Sequence, residues 1–178
     1  MPPHLSPEES QQRERRTTEL VCQLVQWGLL SPQSQTMSWD VSYGRYTWNV
    51  PAAQALVAHT PHRLRVTPTH QLAHLADIAT VDAAHVQRVD PTQPGIVGMY
   101  FDLAEGGWRA IIIDGNHRAV RAFQTGVTFS CYELTPVESW ALLLEHPYMG
   151  ESIFYAQHLT CTADCMISVD AEHEATTI

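Results

Sequence analysis

The sequence predicts an α/β protein of the α+β kind, with a small mixed sheet flanked by helices. Three observations indicate this. First, the stretches IVGMYFDL and WRAIIID, joined by Glu105-Gly106-Gly107, have the pattern of a β-hairpin. Second, the following GNHRAVRAFQTG places apolar residues three and four positions apart and closes at a glycine, as helices do. Third, VTFSCYEL is strand-like, and TPVESWALLL begins with a threonine cap and a proline before an apolar helix.

Size limits the domain organisation. The chain has 178 residues and is 44% hydrophobic, which allows one sizeable core but not two comfortable ones. We expect an N-terminal helical extension over 1–35, a core domain over 36–145 and a C-terminal extension over 146–178. The polar last ten residues of that extension favour disorder.

The sequence also predicts where the protein resides. No apolar run approaches the roughly 20 residues that span a bilayer, and the charged N-terminus is unlike a signal peptide. A soluble, cytoplasmic protein with no membrane partner is expected. Four scattered cysteines are too few for the disulfide framework of a small secreted protein, so reduced thiols are predicted at Cys22, Cys131, Cys161 and Cys165.

The first half of the chain carries further elements. Ser6-Pro7-Glu8-Glu9 opens a predicted helix over 7–28, whose polar front favours solvent or another subunit. Alternating aromatics over 31–50 predict a hairpin around Tyr43-Gly44-Arg45. A short helix is predicted after Pro51, an edge strand at HRLRV and another helical segment at HQLAHLADI.

Net charge constrains the partners. The chain has ten arginines, no lysine and nineteen Asp and Glu residues, which gives a net charge of -9. This balance opposes phosphate-backbone neutralisation and therefore disfavours DNA. Because all of the Lys/Arg charge is arginine, it suits planar, bidentate contacts with phosphate or carboxylate.

The most informative stretch is the DGNHR turn between the predicted strand WRAIIID and its helix. Backbone N–H groups at such a helix start are free donors at the positive end of the helix dipole, which is a common anion site. Gly115 would let a phosphate approach, Asn116 would extend the backbone cradle, and His117 and Arg118 would add side-chain donors. The alternative is a capping turn in which Arg118 only pairs with Asp114.

The block from about residue 84 to 135 resembles the ParB/sulfiredoxin superfamily. The features that carry the resemblance are the PGIV strand entry, the DGNHR turn with its A-x-x-A/F helix, and the Gly-Val before the next strand. They cover roughly the central third of the chain. The resemblance implies a hairpin leading to a phosphate-binding turn, a helix and a strand.

Members of that superfamily use the turn differently. It is similar to sulfiredoxin's G-G-C-H-R, which binds ATP phosphates, but Asn116 stands where the catalytic cysteine would be, so sulfinic acid repair is not implied. It also resembles D-G-H-H-R of ADP-dependent free-serine kinases, which implies nucleotide binding and phosphoryl transfer. ParB partition proteins bind CTP at a G-E-R-R-like turn and add a DNA-binding helix-turn-helix. Here His117 stands where the second arginine would be, and we expect no room after residue 135 for a helix-turn-helix plus a dimerisation segment.

Phosphoryl transfer would need Mg²⁺ and a carboxylate. Asp114, Glu105, Asp90 and Glu138 are the nearby acids in sequence, and Asp114 is the preferred catalytic candidate beside His117. Glu138 fits a helix-capping pattern better.

Zinc ligands are not predicted, because neither His70 with His74 nor the tail cluster (His158, Cys161, Cys165, His173) has the spacing of a common zinc module. The aromatics over 39–48 could stack a base, although packing on a core is the preferred interpretation.

Three functions follow. The first is a nucleotide-binding protein that uses ATP or ADP, or else CTP, with Mg²⁺, and acts as a phosphotransferase on a small molecule or a protein side chain. The second is a non-enzymatic ParB-like module whose nucleotide binding regulates association with a partner or DNA. The third, a ParB-like nuclease, lacks the paired carboxylates that such activity requires. A homo-oligomer is left open.

Overall fold

The computed structural model describes residues 7–26, 35–102, 104–145 and 147. Its secondary structure is a mixture of helices and strands. The helices are α1 (Pro7–Gln26), α2 (Val50–His59), α3 (Thr69–Ile78), α4 (Ala83–Val86), α5 (Asn116–Thr125) and α6 (Pro136–Ala141). The strands are β1 (Thr36–Val41), β2 (Gly44–Asn49), β3 (Arg63–Val66), β4 (Gly95–Asp102), β5 (Gly107–Asp114), β6 (Ser130–Glu133) and β7 (Leu143–Glu145). The predicted α+β class is confirmed.

The chain divides into two compact units. Leu56–Pro136 forms one, and the segments before and after it in the sequence form the other. The strands sort the same way, into a three-stranded sheet of order β1-β2-β7 and a four-stranded sheet of order β3-β6-β4-β5. The predicted domain boundaries at 35/36 and 145/146 stay a prediction.

The first unit contains the predicted aromatic hairpin. Strands β1 and β2 pair antiparallel around a two-residue loop, with Thr36 opposite Asn49 and Val41 opposite Gly44. Tyr46 and Trp48 are fully buried and stack on each other with ring centroids 5.7 Å apart. Packing on a core is therefore confirmed for Tyr46 and Trp48, whose rings present no face to an external base, whereas Trp39 and Tyr43 are half-buried.

Helix α1 also belongs to the first unit. The predicted helix is confirmed up to Gln26, while residues 27 and 28 lie outside the described part. Leu24 in its second half is fully buried, and the described side chains of its first half are exposed, as its polar sequence predicts. Cys22 is disulfide-bonded, so its prediction as a reduced thiol is wrong. Cys161, Cys165 and the tail predicted to be disordered lie outside the described residues.

The second unit is built on a mixed sheet, as predicted. Antiparallel β4 and β5 form the long hairpin, β4 runs parallel to β6, and β6 pairs antiparallel with the edge strand β3. Asp102 Oδ1 closes the hairpin by accepting the backbone N–H groups of Ala104 and Glu105, at 2.9 and 3.3 Å. Helices α3 and α5 pack on each other.

A core between the sheet and these helices holds the second unit together. Its buried members are Leu72, Ile112, Ala119, Ala122, Phe129 and Cys131. Burying a large apolar side chain such as Phe129 contributes roughly 1.5–3 kcal/mol. The two alanines let helix α5 lie close to the sheet, and this fixes the position of its first turn. Among the described residues, no helix is long and apolar enough to cross a membrane.

Candidate functional site

The DGNHR turn leads from the end of β5 directly into α5. Gly115 has φ 98° and ψ 16°, the left-handed conformation that glycine adopts without strain. Its carbonyl accepts the first helical hydrogen bond, from the N–H of Ala119 at 2.8 Å. A Cβ on Gly115 would lie 3.0 Å from the Cα of Gly95 and 3.2 Å from Nη2 of Arg118. The backbone therefore needs glycine here for both its conformation and its packing.

A β-bulge in the β4–β5 hairpin sets the direction in which β5 ends. Ile96 lies opposite Asp114, whereas the next residue, Val97, lies opposite Ile112, so Ile113 is an extra residue in a β-bulge. Gly95 completes the close fit, because a Cβ there would be 2.7 Å from the carbonyl oxygen of Asp114. The sequence pattern carried no sign of this bulge.

Arg118 connects the turn to β4. Its Nη2 lies 3.0 Å from Oδ2 of Asp114, and its Nη1 donates to the carbonyl of Pro94 at 2.8 Å. Both charged side chains are largely buried, with exposures of 19% for Arg118 and 17% for Asp114. The ion pair that the sequence offered as the alternative interpretation is thus present. Gly115 at the N-cap has no side chain that could cap the helix, and the carboxylate of Asp114 pairs with Arg118.

His117 contacts α4 and the residue before it. Its Nε2 lies 3.2 Å from the backbone nitrogen of Asp82 and accepts that N–H, which leaves the proton of the neutral ring on Nδ1. The ring meets His85 edge to face, with centroids 4.6 Å apart. Burial first, and the charge of His85 second, hold the pKa of His117 below its ordinary value of 6.5. His117 therefore enters the site as a neutral Nδ1–H donor rather than as a cation.

Asn116 is turned back toward β5. Its Nδ2 donates to the carbonyl of Ile112 at 3.3 Å, and its buried Oδ1 has no hydrogen-bond partner among the described residues. The backbone N–H groups of Asn116, His117 and Arg118 likewise have none among those residues, as expected for the first turn of a helix. Three backbone donors and an amide oxygen thus cluster at the start of α5.

The other candidate acids occupy different places. Asp90 accepts the N–H and the hydroxyl of Thr92 at 2.9 and 2.7 Å, bonds that lower its pKa, and Arg118 is near enough to lower it further. Glu105 pairs with Arg109 at the opposite end of β5 from Asp114. Glu138 is on α6 and belongs to the other unit. Within the second unit, the fold therefore brings Asp90, and not Glu105, toward the turn.

Sequence reasoning missed three residues near this turn. Asp82 and His85 reach His117 from 35 and 32 positions away, and one histidine among ten carries no local signal. Cys131 is a free thiol, which confirms the prediction for this cysteine, but its place beside Gly95 carried no signal in the sequence. It is buried, its Sγ accepts the Thr67 hydroxyl 3.6 Å away, and burial raises its pKa. Such a thiol is a poor nucleophile.

Metal-binding side chains do not converge in the described part of the chain. It contains no group of three or more His, Cys, Asp or Glu placed to hold a metal ion. His70 and His74 are exposed on α3. The tail residues His158, Cys161, Cys165 and His173 lie outside the described residues.

No family model, curated protein or solved structure matches this chain. The resemblance of the DGNHR region to the ParB/sulfiredoxin superfamily stays a prediction.

Proposed function

We propose that this is a ParB/sulfiredoxin-like protein that binds the phosphates of a nucleotide at Gly115–Arg118. The observation that carries the proposal is the left-handed Gly115 at the start of a ten-residue helix whose first three N–H groups have no partner among the described residues. Anionic oxygens are stabilised at such a helix end by both the N–H groups and the dipole. The further step is phosphoryl transfer to a small molecule or a protein side chain, with ATP or ADP and Mg²⁺.

The side chains around the turn support specific roles. His117 contributes a neutral Nδ1–H donor, since its Nε2 is engaged by Asp82. Arg118 retains N–H groups beyond the two that contact Asp114 and Pro94, and its guanidinium lies next to Gly115. Asp114 is the candidate Mg²⁺ ligand or base, but its carboxylate is already paired with Arg118. A bound phosphate would therefore compete with Asp114 for the arginine.

Calorimetric titration with ATP, ADP, CTP and inorganic phosphate, each with and without Mg²⁺, tests binding. His117→Ala and Arg118→Lys should each weaken binding roughly ten- to hundredfold, the value of one charge-assisted hydrogen bond. Arg121→Ala, one turn further along α5 and bonded to Gln87, is the matched control and should bind like the wild type. Equal binding by all three variants would exclude the turn as the site.

Asp114→Asn distinguishes the two roles of the carboxylate. If Asp114 only competes for Arg118, the variant should bind inorganic phosphate more tightly without Mg²⁺. If Asp114 holds Mg²⁺, the variant should bind Mg²⁺-ATP more weakly and bind free phosphate unchanged. Loss of all phosphate binding in a folded Asp114→Asn protein would contradict both roles.

A second candidate is a non-enzymatic module in which nucleotide binding regulates association with a partner. The Asp114–Arg118 ion pair favours it, because the preferred catalytic carboxylate is occupied and largely buried. Release of ADP from ATP, or of AMP from ADP, in the presence of serine or another hydroxyl acceptor would support the enzyme. Tight binding with no product after prolonged incubation would support the module.

A further inference from the structure

Strand β3 ends the four-stranded sheet, and among the described residues only β6 pairs with it. The N–H of Thr67 bonds to the carbonyl of Phe129 at 2.8 Å, just beyond the pair formed by Val66 and Ser130. Hydrogen-bonded positions alternate in an antiparallel pair, so the backbone groups of Leu64 and Val66 point away from β6. In the described part of the chain, these backbone groups of Leu64 and Val66 have no hydrogen-bond partner. Within the described ranges, the outer edge of β3 therefore presents backbone donors and acceptors that no other segment uses.

The two faces of this edge differ in chemistry. Leu64 and Val66 lie on one face and are 52% and 58% exposed, the most exposed large apolar side chains among the described residues. Arg63 and Arg65 lie on the other face, with side chains 80% and 58% exposed. Both arginines face the single carboxylate of Glu133, at 4.0 and 3.0 Å, so one positive charge is left in excess.

We propose that the β3 edge binds an extended acidic segment of a partner protein as an additional strand. Main-chain hydrogen bonds to Leu64 and Val66 would supply affinity, and alternating side chains would supply selectivity. Apolar residues of the segment would cover Leu64 and Val66, while its carboxylates would face Arg63 and Arg65. This inference does not depend on the proposed nucleotide site.

Charge complementarity selects this occupant over others. Arginines on a sheet edge oppose pairing with basic strands. A second copy of β3 would bring arginines of the two strands together on one face, and like charges in cross-strand positions are destabilising. An acidic strand instead neutralises the excess positive charge. The net charge of -9 repels acidic partners at long range, but salt near 0.15 M shortens that repulsion to about 8 Å.

Fluorescence polarisation of a labelled short peptide of alternating valine and glutamate tests the proposal at physiological salt. The wild type should bind it, and Arg63→Gln with Arg65→Gln should weaken binding roughly tenfold, the combined value of two exposed ion pairs. Arg109→Gln removes an exposed arginine from β5, at the other edge of the sheet, and should leave binding unchanged. Leu64→Thr with Val66→Thr should weaken binding, whereas Ile78→Thr on α3 should not.

Changes in the peptide test the same point without altering the protein. Three altered peptides should each fail to bind. The first has lysine in place of glutamate, the second has valines and glutamates in separate blocks, and the third is methylated on those alternate amides that would face β3. Equal binding of the block peptide or of the double arginine variant would overturn the proposal, as would no binding of the alternating peptide. A dimer seen by sedimentation without peptide and lost in Leu64→Thr/Val66→Thr would assign the edge to a second copy and also overturn it.

Discussion

Gly115 is the residue on which the geometry of the turn depends. Replacing it with alanine forces an L side chain to adopt φ 98° and places a Cβ 3.0 Å from the Cα of Gly95. We expect Gly115→Ala to lower the free energy of unfolding by about 1–3 kcal/mol. Gly107→Ala is the control, because nothing lies within 4 Å of its added Cβ, and it should change the value by less than about 0.5 kcal/mol. Urea unfolding measures both, and equal effects would show that the turn tolerates a side chain.

His117 predicts a pH dependence of stability. Burial and His85 lower its pKa in the folded protein, so below pH 6.5 the unfolded chain takes up a proton that the folded chain does not. The contribution of neutral His117 is therefore complete above pH 6.5, and it is lost as the pH falls from 6.5 toward the folded pKa. Protonation also removes the Nε2 acceptor of the Asp82 N–H.

Unfolding curves collected between pH 7.5 and about 5 measure this effect. His117→Gln, which cannot be protonated, should show a smaller decrease in the free energy of unfolding than the wild type over this range. His74→Gln removes an exposed histidine from α3 and should keep the wild-type decrease. The assignment to His117 is wrong if its replacement leaves the pH dependence unchanged.

At the scale of elements, Arg118 joins the β5–α5 connection to the start of β4. Arg118→Gln leaves the carboxylate of Asp114 and the carbonyl of Pro94 without the guanidinium, in a place where both charged side chains are about four-fifths buried. The expected loss is about 2–3 kcal/mol of unfolding free energy. Because Asp114→Asn removes the same interaction, the double variant should lose at least about 1 kcal/mol less than the sum of the two single losses.

The matched comparison is Arg109, which pairs with Glu105 four residues earlier in an exposed position. Arg109→Gln should cost less than about 0.5 kcal/mol. Denaturant unfolding of the five proteins, including the wild type, gives the comparison. Additive losses for Asp114→Asn and Arg118→Gln would mean that the buried pair contributes no coupling energy.

Elements with local signals were predictable from the sequence. The hairpin β4–β5, helix α5, the aromatic hairpin and the edge strand β3 each carry a complete pattern within a few residues. The contacts that shape the site span long separations: Arg118 reaches Pro94 across 24 positions, and His117 reaches Asp82 across 35. Helix α4 has only four residues, too few to show a helical period.

The partner of β1 and β2 could not be predicted for the same physical reason. The predicted mixed sheet is present in the second unit, but β1 and β2 form a separate sheet with β7, whose first residues are predicted from the sequence as the end of the helix in TPVESWALLL. That pairing joins distant segments, because Thr47 bonds to Glu145 across 98 positions. Strand propensity states that a segment is extended but does not name its partner. Pairing over such distances depends on the packing of the whole unit.

The charge of the whole molecule predicts its behaviour toward nucleic acid. A protein binds duplex DNA non-specifically by neutralising phosphates with cations, and ordinary binders reach a Kd of roughly 10⁻⁴–10⁻⁶ M. This chain carries a net charge of -9, and several of its ten arginines are already paired with Asp or Glu, namely Arg15, Arg45, Arg63, Arg65, Arg109 and Arg118. Few cations remain to meet a phosphate backbone.

We therefore expect no change in the anisotropy of a labelled duplex at protein concentrations up to about 100 μM, even at about 50 mM salt, where such attraction is strongest. A single nucleotide differs from a duplex, because one helix end with Arg118 and His117 can meet its few charges locally while the distant acidic side chains are screened. Duplex binding that weakens steeply with salt would show that the arginines act together on one face. That result would favour the DNA-associating alternative over a small-molecule nucleotide site.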